Sequence, residues 1–210
     1  MAWQAVWTNS LGALTESQKE QNVDILYYFF HNLGWEDKPI AAMFGNMELE
    51  SQMNPAQWEN GKQIEGEGRI GFGLCQWTPW TKLADWLGTG WETNYNGQLQ
   101  RIQWESLPEN QGNINPNGQW IPVYNAGGFN FGGYTFQQFA HDTTHELPWL
   151  TACYEYSYER GTPAINTRVQ YAQRWYEYIQ SGPTPPTPTP TSRGKMPLWM
   201  MLKPYYRRYR

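Results

Sequence analysis

The chain has 210 residues, enough for one domain with a real core and a tail or linker, but short of two full domains. Only 16% of residues are charged while 17% are aromatic, including 13 Trp and 14 Tyr, the reverse of the balance that marks intrinsic disorder. The net charge of −4 conceals a division: six of the 15 bases, and no acid, lie beyond Gly182, so residues 1–182 carry nine bases against 19 acids, or −10. An acidic body argues against nucleic acid as its main partner.

The opening stretch, 1–14, reads as an N-terminal arm. It has no basic start and no continuous apolar run, so no signal peptide is expected from it. Thr15 with Gln18 three residues later forms a capping-box pattern. It opens an amphipathic helix with Val23, Leu26, Tyr27 and Phe30 on one face, ending near Asn32 to Gly34. A second helix is predicted after Asp37, with Pro39 in its first turn and Ile40, Met43, Phe44 and Met47 as its buried stripe. It must stop by Asn54, because Pro55 cannot continue it and disfavours helical geometry before it.

Residues 59–73 contain five glycines and point to a small β or loop element. A short helix follows around Lys82–Leu87, and another across Gly97–Glu105. Residues 108–133, rich in Asn, Gly and Pro, read as a loop whose length is unusual without a function. Helical periodicity returns at Thr135–Ala140, Pro148–Tyr158 and Asn166–Ile179. Residues 15–182 thus form a mainly α domain. Residues 183–192 are a Pro/Thr repeat with the composition of an extended spacer. Residues 193–210 set Trp199, Tyr205, Tyr206 and Tyr209 among six bases, a composition suited to anchoring on a protein or an anionic surface. No stretch approaches the ~18 apolar residues of a transmembrane helix.

Three scattered His and two Cys give no metal-ligand spacing, and no cofactor is indicated. Whether Cys75 and Cys153 pair with each other stays open at this level. The aromatic excess has two readings, core packing or stacking on pyranose faces, and composition does not separate them.

The sharpest chemical signal is Glu50-Ser51-Gln52-Met53-Asn54-Pro55 at the end of the second helix. A carboxyl set against apolar residues holds its proton to higher pH, as a general acid for glycosidic cleavage must. Met43, Phe44 and Met47 are the expected apolar surroundings. Ser51 and Asn54 could orient the carboxyl or merely cap the helix. Glu48, two residues away, lies on the opposite shoulder of the stripe at ~100° per residue, so periodicity alone does not choose between them.

Gly45-Asn46-Met47-Glu48-Leu49-Glu50-Ser51-Gln52-Met53-Asn54-Pro55, followed by Gly71-Phe72-Gly73-Leu74-Cys75-Gln76-Trp77-Thr78, resembles the phage tail lysozymes, relatives of goose-type lysozymes and lytic transglycosylases. Tyr158-Glu159-Arg160, Arg168 and the segment Ala172 to Trp175 resemble the closing part of the same domain, so the likeness spans roughly residues 15–180. Tyr124-Asn125-Ala126-Gly127 resembles a further transglycosylase motif, but in a loop. The resemblance implies a lysozyme-like α+β domain and cleavage of the β-1,4 bond between N-acetylmuramic acid and N-acetylglucosamine. It makes Glu50 the catalytic acid and peptidoglycan the substrate, and it puts the enzyme on a virion, with 193–210 anchoring it to other tail proteins.

Glu65 and Glu67 are the candidates for a second carboxylate, which would sit ~5 Å away for retention or ~6.5–9.5 Å for inversion. Ser51, Gln76, Trp77 and Trp80 are candidate substrate contacts, with core packing the competing reading for both Trp. Two other functions compete. Cys75, with His141 or His145 as base, could serve a wall-peptide amidase or endopeptidase. A non-catalytic tail structural or wall-binding protein is the other. The sequence leaves hydrolysis against transglycosylation open.

Overall fold

Thr15 caps the first helix as its pattern predicts. In the computed structural model, which describes residues 2–62, 70–161 and 164–183, Gln18 N–H donates to the Thr15 hydroxyl, and the Gln18 side chain accepts from Thr15 N–H. Helix α1 (Glu16–Asn32) buries Val23, Leu26, Tyr27 and Phe30 on one face. Helix α2 (Asp37–Ser51) is buried on nearly every side from Pro39 to Glu48, as a helix apolar all round must be. It ends in two consecutive left-handed residues, Gln52 (φ 50°) and Met53 (φ 61°), just before Asn54-Pro55. That uncommon turn is held from outside. Asn22 Nδ2 donates to Met53 O at 2.8 Å, and the Asn54 side chain pairs with both backbone groups of Val6.

The remaining helices are α3 (Thr81–Leu87), α4 (Tyr95–Glu105), α5 (Phe136–Ala140), α6 (Leu147–Tyr154) and α7 (Ile165–Gln180). Helix α6 runs on into a π-helical turn, Glu155–Glu159. The centre of the domain is α2 packed between α6 and α7. Gly45 sets the closeness of the α2–α7 crossing: a Cβ there would stand 2.5 Å from Arg168 O and 2.7 Å from Ala172 N. Among the described residues the fold is mainly α with one small sheet, in keeping with the mainly α class expected from the sequence.

That sheet is not where the Gly-rich segment suggested. Strands β1 (Asn125–Ala126) and β2 (Phe129–Asn130) pair antiparallel inside the 108–133 segment, with Ala126 opposite Phe129. Gly127 and Gly128 (φ 57° and 84°) supply the two positive-φ residues of a tight hairpin turn. Of the segment 59–73, residues 63–69 lie outside the described residues, and the flanking chain is joined by single bridges, Trp58 to Phe72 and Phe72 to Trp77. The long loop is anchored by Trp120, buried and stacked on Phe136 with centroids 4.5 Å apart. Residues 2–14 lie on the domain, with Thr8 O accepting from Trp58 N–H at 2.8 Å. Beyond Pro183 the spacer and the cationic tail 193–210 lie outside the described residues.

Candidate active site

The last turn of α2 opens onto a cleft of about 580 Å³. Leu49, Glu50, Glu59, Cys75, Gln76, Lys82, Glu159 and Arg160 are among the residues that line it. Glu50 is partly exposed there, as a residue that meets a ligand must be. Glu48 faces the other way: its buried carboxylate takes Lys19 Nζ at 2.7 Å and stands 3.3 Å from Arg174 Nη2. Of the two shoulders that periodicity left equal, one is a structural ion pair and the other faces the cleft.

The surroundings of Glu50 differ from the expected apolar set. Met43, Phe44 and Met47 are fully buried in the core, and the Glu50 carboxylate instead accepts a hydrogen bond from Arg168 Nη2 at 2.6 Å. Arg168 comes from the first turn of α7, which the Gly45 crossing brings against α2. The same Nη2 stands 2.9 Å from Glu155 Oε2, and Nη1 donates to Asn46 O at 3.3 Å. Glu159, one π-turn beyond Glu155, completes the group. Its carboxyl is held well above the ordinary range, first by burial and then by the Glu50 charge, with Arg168 opposing. Burial likewise pushes Glu155 up to about 7, against the pull of Arg168. Arg168 thus pairs with both Glu50 and Glu155 while Glu159 lies near enough to feel its charge, and burial favours the protonated form of Glu155 and Glu159.

Ser51, proposed from sequence as a substrate contact, is buried. Its hydroxyl donates to Met47 O and Leu74 O, tying the end of α2 to the Gly-x-x-Gln segment. Trp77 is fully buried in the core and offers no free face to a sugar. Trp80 is half-buried and stacked on Trp91 outside the cleft wall, centroids 5.0 Å apart. Gln76 does reach the cleft. Its Nε2 donates to Gln57 O and Gly73 O, both at 3.0 Å, which fixes the amide and leaves Oε1 as the group it can offer a ligand. Glu65 and Glu67 lie outside the described residues. Tyr124 is exposed at the base of the β1–β2 hairpin and does not line the cleft.

Sequence reasoning missed the part played by Glu155, Glu159 and Arg168. Glu155 and Glu159 stand four apart, and an intact α-helix would have put them on one face. The signal was present, but nothing in it tied that face to Glu50. Tyr158, between them, is structural: its hydroxyl donates to buried Glu105, which pairs with Arg101.

The cysteine alternative finds no machinery. Cys75 is buried against the Tyr154 hydroxyl at 3.6 Å, and burial, reinforced by the nearby Glu159, pushes its thiol far above the range in which thiolate forms. His141 is bonded to Gly34 O. His145 is bonded to Asp142 and stacked on Trp149, and neither ring lines the cleft. Both cysteines are free and buried. Among the described residues no group of three His, Cys, Asp or Glu is arranged to ligate a metal, and no helix is long and apolar enough to cross a membrane.

The family model for phage tail lysozymes matches residues 21–179. The chain belongs to the phage tail lysozyme family. It is also similar to morphogenesis protein 1 of Bacillus phage B103, with 34% identity over 170 residues. That match takes in 78% of this chain and 41% of the relative, so the chain spans about two fifths of the relative's length. In this phage tail lysozyme domain the matched region runs from α1 to the last turn of α7, and so holds every member of the Glu50 cluster.

Proposed function

We propose that this phage tail lysozyme domain, residues 15–182, cleaves the β-1,4 bond between N-acetylmuramic acid and N-acetylglucosamine in host peptidoglycan, with Glu50 as proton donor. The observation that carries the reading is Glu50 at the open edge of a cleft, within a cluster of three carboxyls and one arginine. Burial favours the protonated form of Glu155 and Glu159, which puts a store of protons beside Glu50, and a glycan filling the cleft would displace water from them. Glu50 passes a proton to the glycosidic oxygen as the C–O bond breaks. The oxocarbenium-like carbon is then captured by water, or by the muramoyl C6 hydroxyl to give an anhydro end, and the proton lost by that nucleophile restores the carboxyl. Gln76 Oε1 suits an N-acetyl N–H. Glu159 joins Glu65 and Glu67, which lie outside the described residues, as a candidate for the second carboxyl. The function belongs to a particle-borne enzyme that opens the wall during infection, with residues 183–192 as spacer and 193–210 as its attachment to other virion proteins.

The test is mass spectrometry of fragments released from purified peptidoglycan by the wild type and by Glu50→Gln. New reducing muramic acid ends from the wild type, absent with a folded variant, are expected; anhydro ends would assign a transglycosylase. Cut peptides on intact glycans, or undiminished cleavage by Glu50→Gln, would overturn the reading.

A further inference from the structure

Beside its three carboxyls, Glu50, Glu59 and Glu159, the cleft is lined by two cations, Lys82 and Arg160. Lys82 Nζ has a neutral partner, the Gln119 side-chain oxygen at 3.2 Å, and Gln119 is itself fixed by donating to Tyr158 O. Among the described residues neither Lys82 nor Arg160 has an ion-pair partner within salt-bridge distance. The carboxylate nearest in effect to Lys82, Glu105, is already committed to Arg101 and Tyr158. Arg160 ends the π-helical turn in a left-handed conformation (φ 53°), its N–H bonded to Glu155 O, so its exposed side chain leaves the helix at the cleft rim. The two cations repel each other: the Lys82 ammonium is held below the ordinary lysine range by partial burial and then by Arg160 and Arg101. A domain with acids to spare has left two mutually repelling cations in the lining of its cleft. An anionic ligand group would relieve the repulsion that folding leaves in place.

We propose that Lys82 and Arg160 form a subsite for an oxyanion, carboxylate or phosphate, borne by the cell-wall polymer whose glycan bond lies at Glu50. This rests on the proposed peptidoglycan substrate and extends it. Two parts of a wall present that chemistry, the carboxylates of the peptide stem on muramic acid and the phosphates of attached polyol-phosphate polymers. An anion held at Lys82 and Arg160, with the scissile oxygen at Glu50, would fix the direction in which a strand lies.

The experiment is calorimetric titration of the full chain with three probes: a GlcNAc–MurNAc-tetrapeptide, a neutral GlcNAc tetramer and a glycerol phosphate oligomer. The wild type is expected to bind one anionic probe at least tenfold more tightly than the neutral tetramer. That advantage should vanish in the Lys82→Gln/Arg160→Gln double variant and persist in Lys82→Arg. An advantage for the tetrapeptide assigns the stem, and one for glycerol phosphate assigns the polymer. Arg160→Gln alone, at an exposed position, should lose most of the advantage even if the double variant folds poorly. Equal affinities in the wild type, or an advantage that survives in the folded variants, would overturn the subsite. Fragment analysis on the same protein separates the two claims. Anion preference without glycan scission would keep the subsite and sink the proposed cleavage, and scission without preference would do the reverse.

Discussion

Glu155→Gln should make the protein more stable above neutral pH, because a carboxyl buried this deeply resists ionisation. Burial lifts Glu155 from 4.5 to about 7, with Arg168 pulling it down and Glu50 adding to the rise. Since its pKa rises on folding, the native state keeps this proton through a pH range where the unfolded chain has released it. The sign follows: the contribution to stability is most favourable below pH 4.5 and declines as pH rises through about 7. At about 1.4 kcal/mol per pKa unit, the full decline is about 3 kcal/mol. Gln keeps the shape of the neutral acid and cannot ionise, so the variant escapes that loss, and Arg168 keeps Glu50 as its partner. Thermal unfolding followed by circular dichroism at pH 5, 6, 7 and 8 measures the gap. The two proteins should lie close together at pH 5, with the variant gaining steadily to pH 8. For a domain of this size, 3 kcal/mol corresponds to roughly 6–12 °C. Parallel pH curves would refute the reasoning, as would a wild type that gains on the variant with rising pH. Either result would mean that Arg168 keeps Glu155 ionised at little cost.

Gly45→Ala should lower the melting temperature. Ala is worth up to about 1 kcal/mol over Gly inside a helix, but its Cβ would meet backbone atoms of α7 at 2.5–2.7 Å, and overpacking costs about 1–3 kcal/mol. The steric term wins, and displacement of α7 should also lower cleavage, measured as release of soluble peptidoglycan. Asp142→Asn should cost about 2 kcal/mol at neutral pH. Burial opposes the Asp142 charge, but the His145 N–H, the Tyr134 hydroxyl, the His145 ring and the Thr144 N–H outweigh it and hold the carboxyl at about 2. That stability is present above pH 3.8 and lost as pH falls toward 2, so the difference between wild type and variant in acid titration of the fold should shrink over that window. Cys75→Ser should leave kcat/KM on peptidoglycan within about threefold, less than ~0.7 kcal/mol at the transition state; complete loss in a folded protein would restore the cysteine mechanism.

The helices were legible because their ends are written locally. Thr15 with Gln18, and Pro55 after α2, each mark a boundary through groups within four residues of it, and periodicity marks the faces between. The position of Glu50 followed from its motif. Its partner did not, because Arg168 lies 118 residues away and meets it only through a crossing that depends on the missing side chain of Gly45. Trp77 shows the complementary difficulty. Beside Gln76 in sequence it looked equally available, but Gln76 takes a left-handed conformation (φ 45°) that turns it into the cleft while Trp77 enters the core. The hairpin was missed because glycine count pointed to residues 59–73, whereas a tight two-residue turn needs only the adjacent pair Gly127-Gly128.

The same crossing explains why charged chemistry sits at the edge of so apolar a core. Helix α2 is surrounded by hydrophobic side chains until its last turn, where the core ends and the cleft begins. An ionisable group one turn earlier would be sealed in, and one turn later it would be an ordinary surface carboxylate. Glu50 falls between, and α6 reaches the same level just as its α-helical geometry gives way to the π-helical turn carrying Glu155 and Glu159. Helix α7 closes the gap with Arg168, whose guanidinium is almost wholly buried and therefore needs those acids as much as they need it. Removing the arginine would leave Glu155 without its cationic partner. Removing Glu155 and Glu159 together would leave Arg168 to hold Glu50 alone as a fixed ion pair, with no neighbouring acid to carry a proton. A carboxyl that must give up and regain a proton is better served by a cluster with more acids than bases. The surplus of acid over base at this point is thus the feature of the fold that the proposed proton transfer requires.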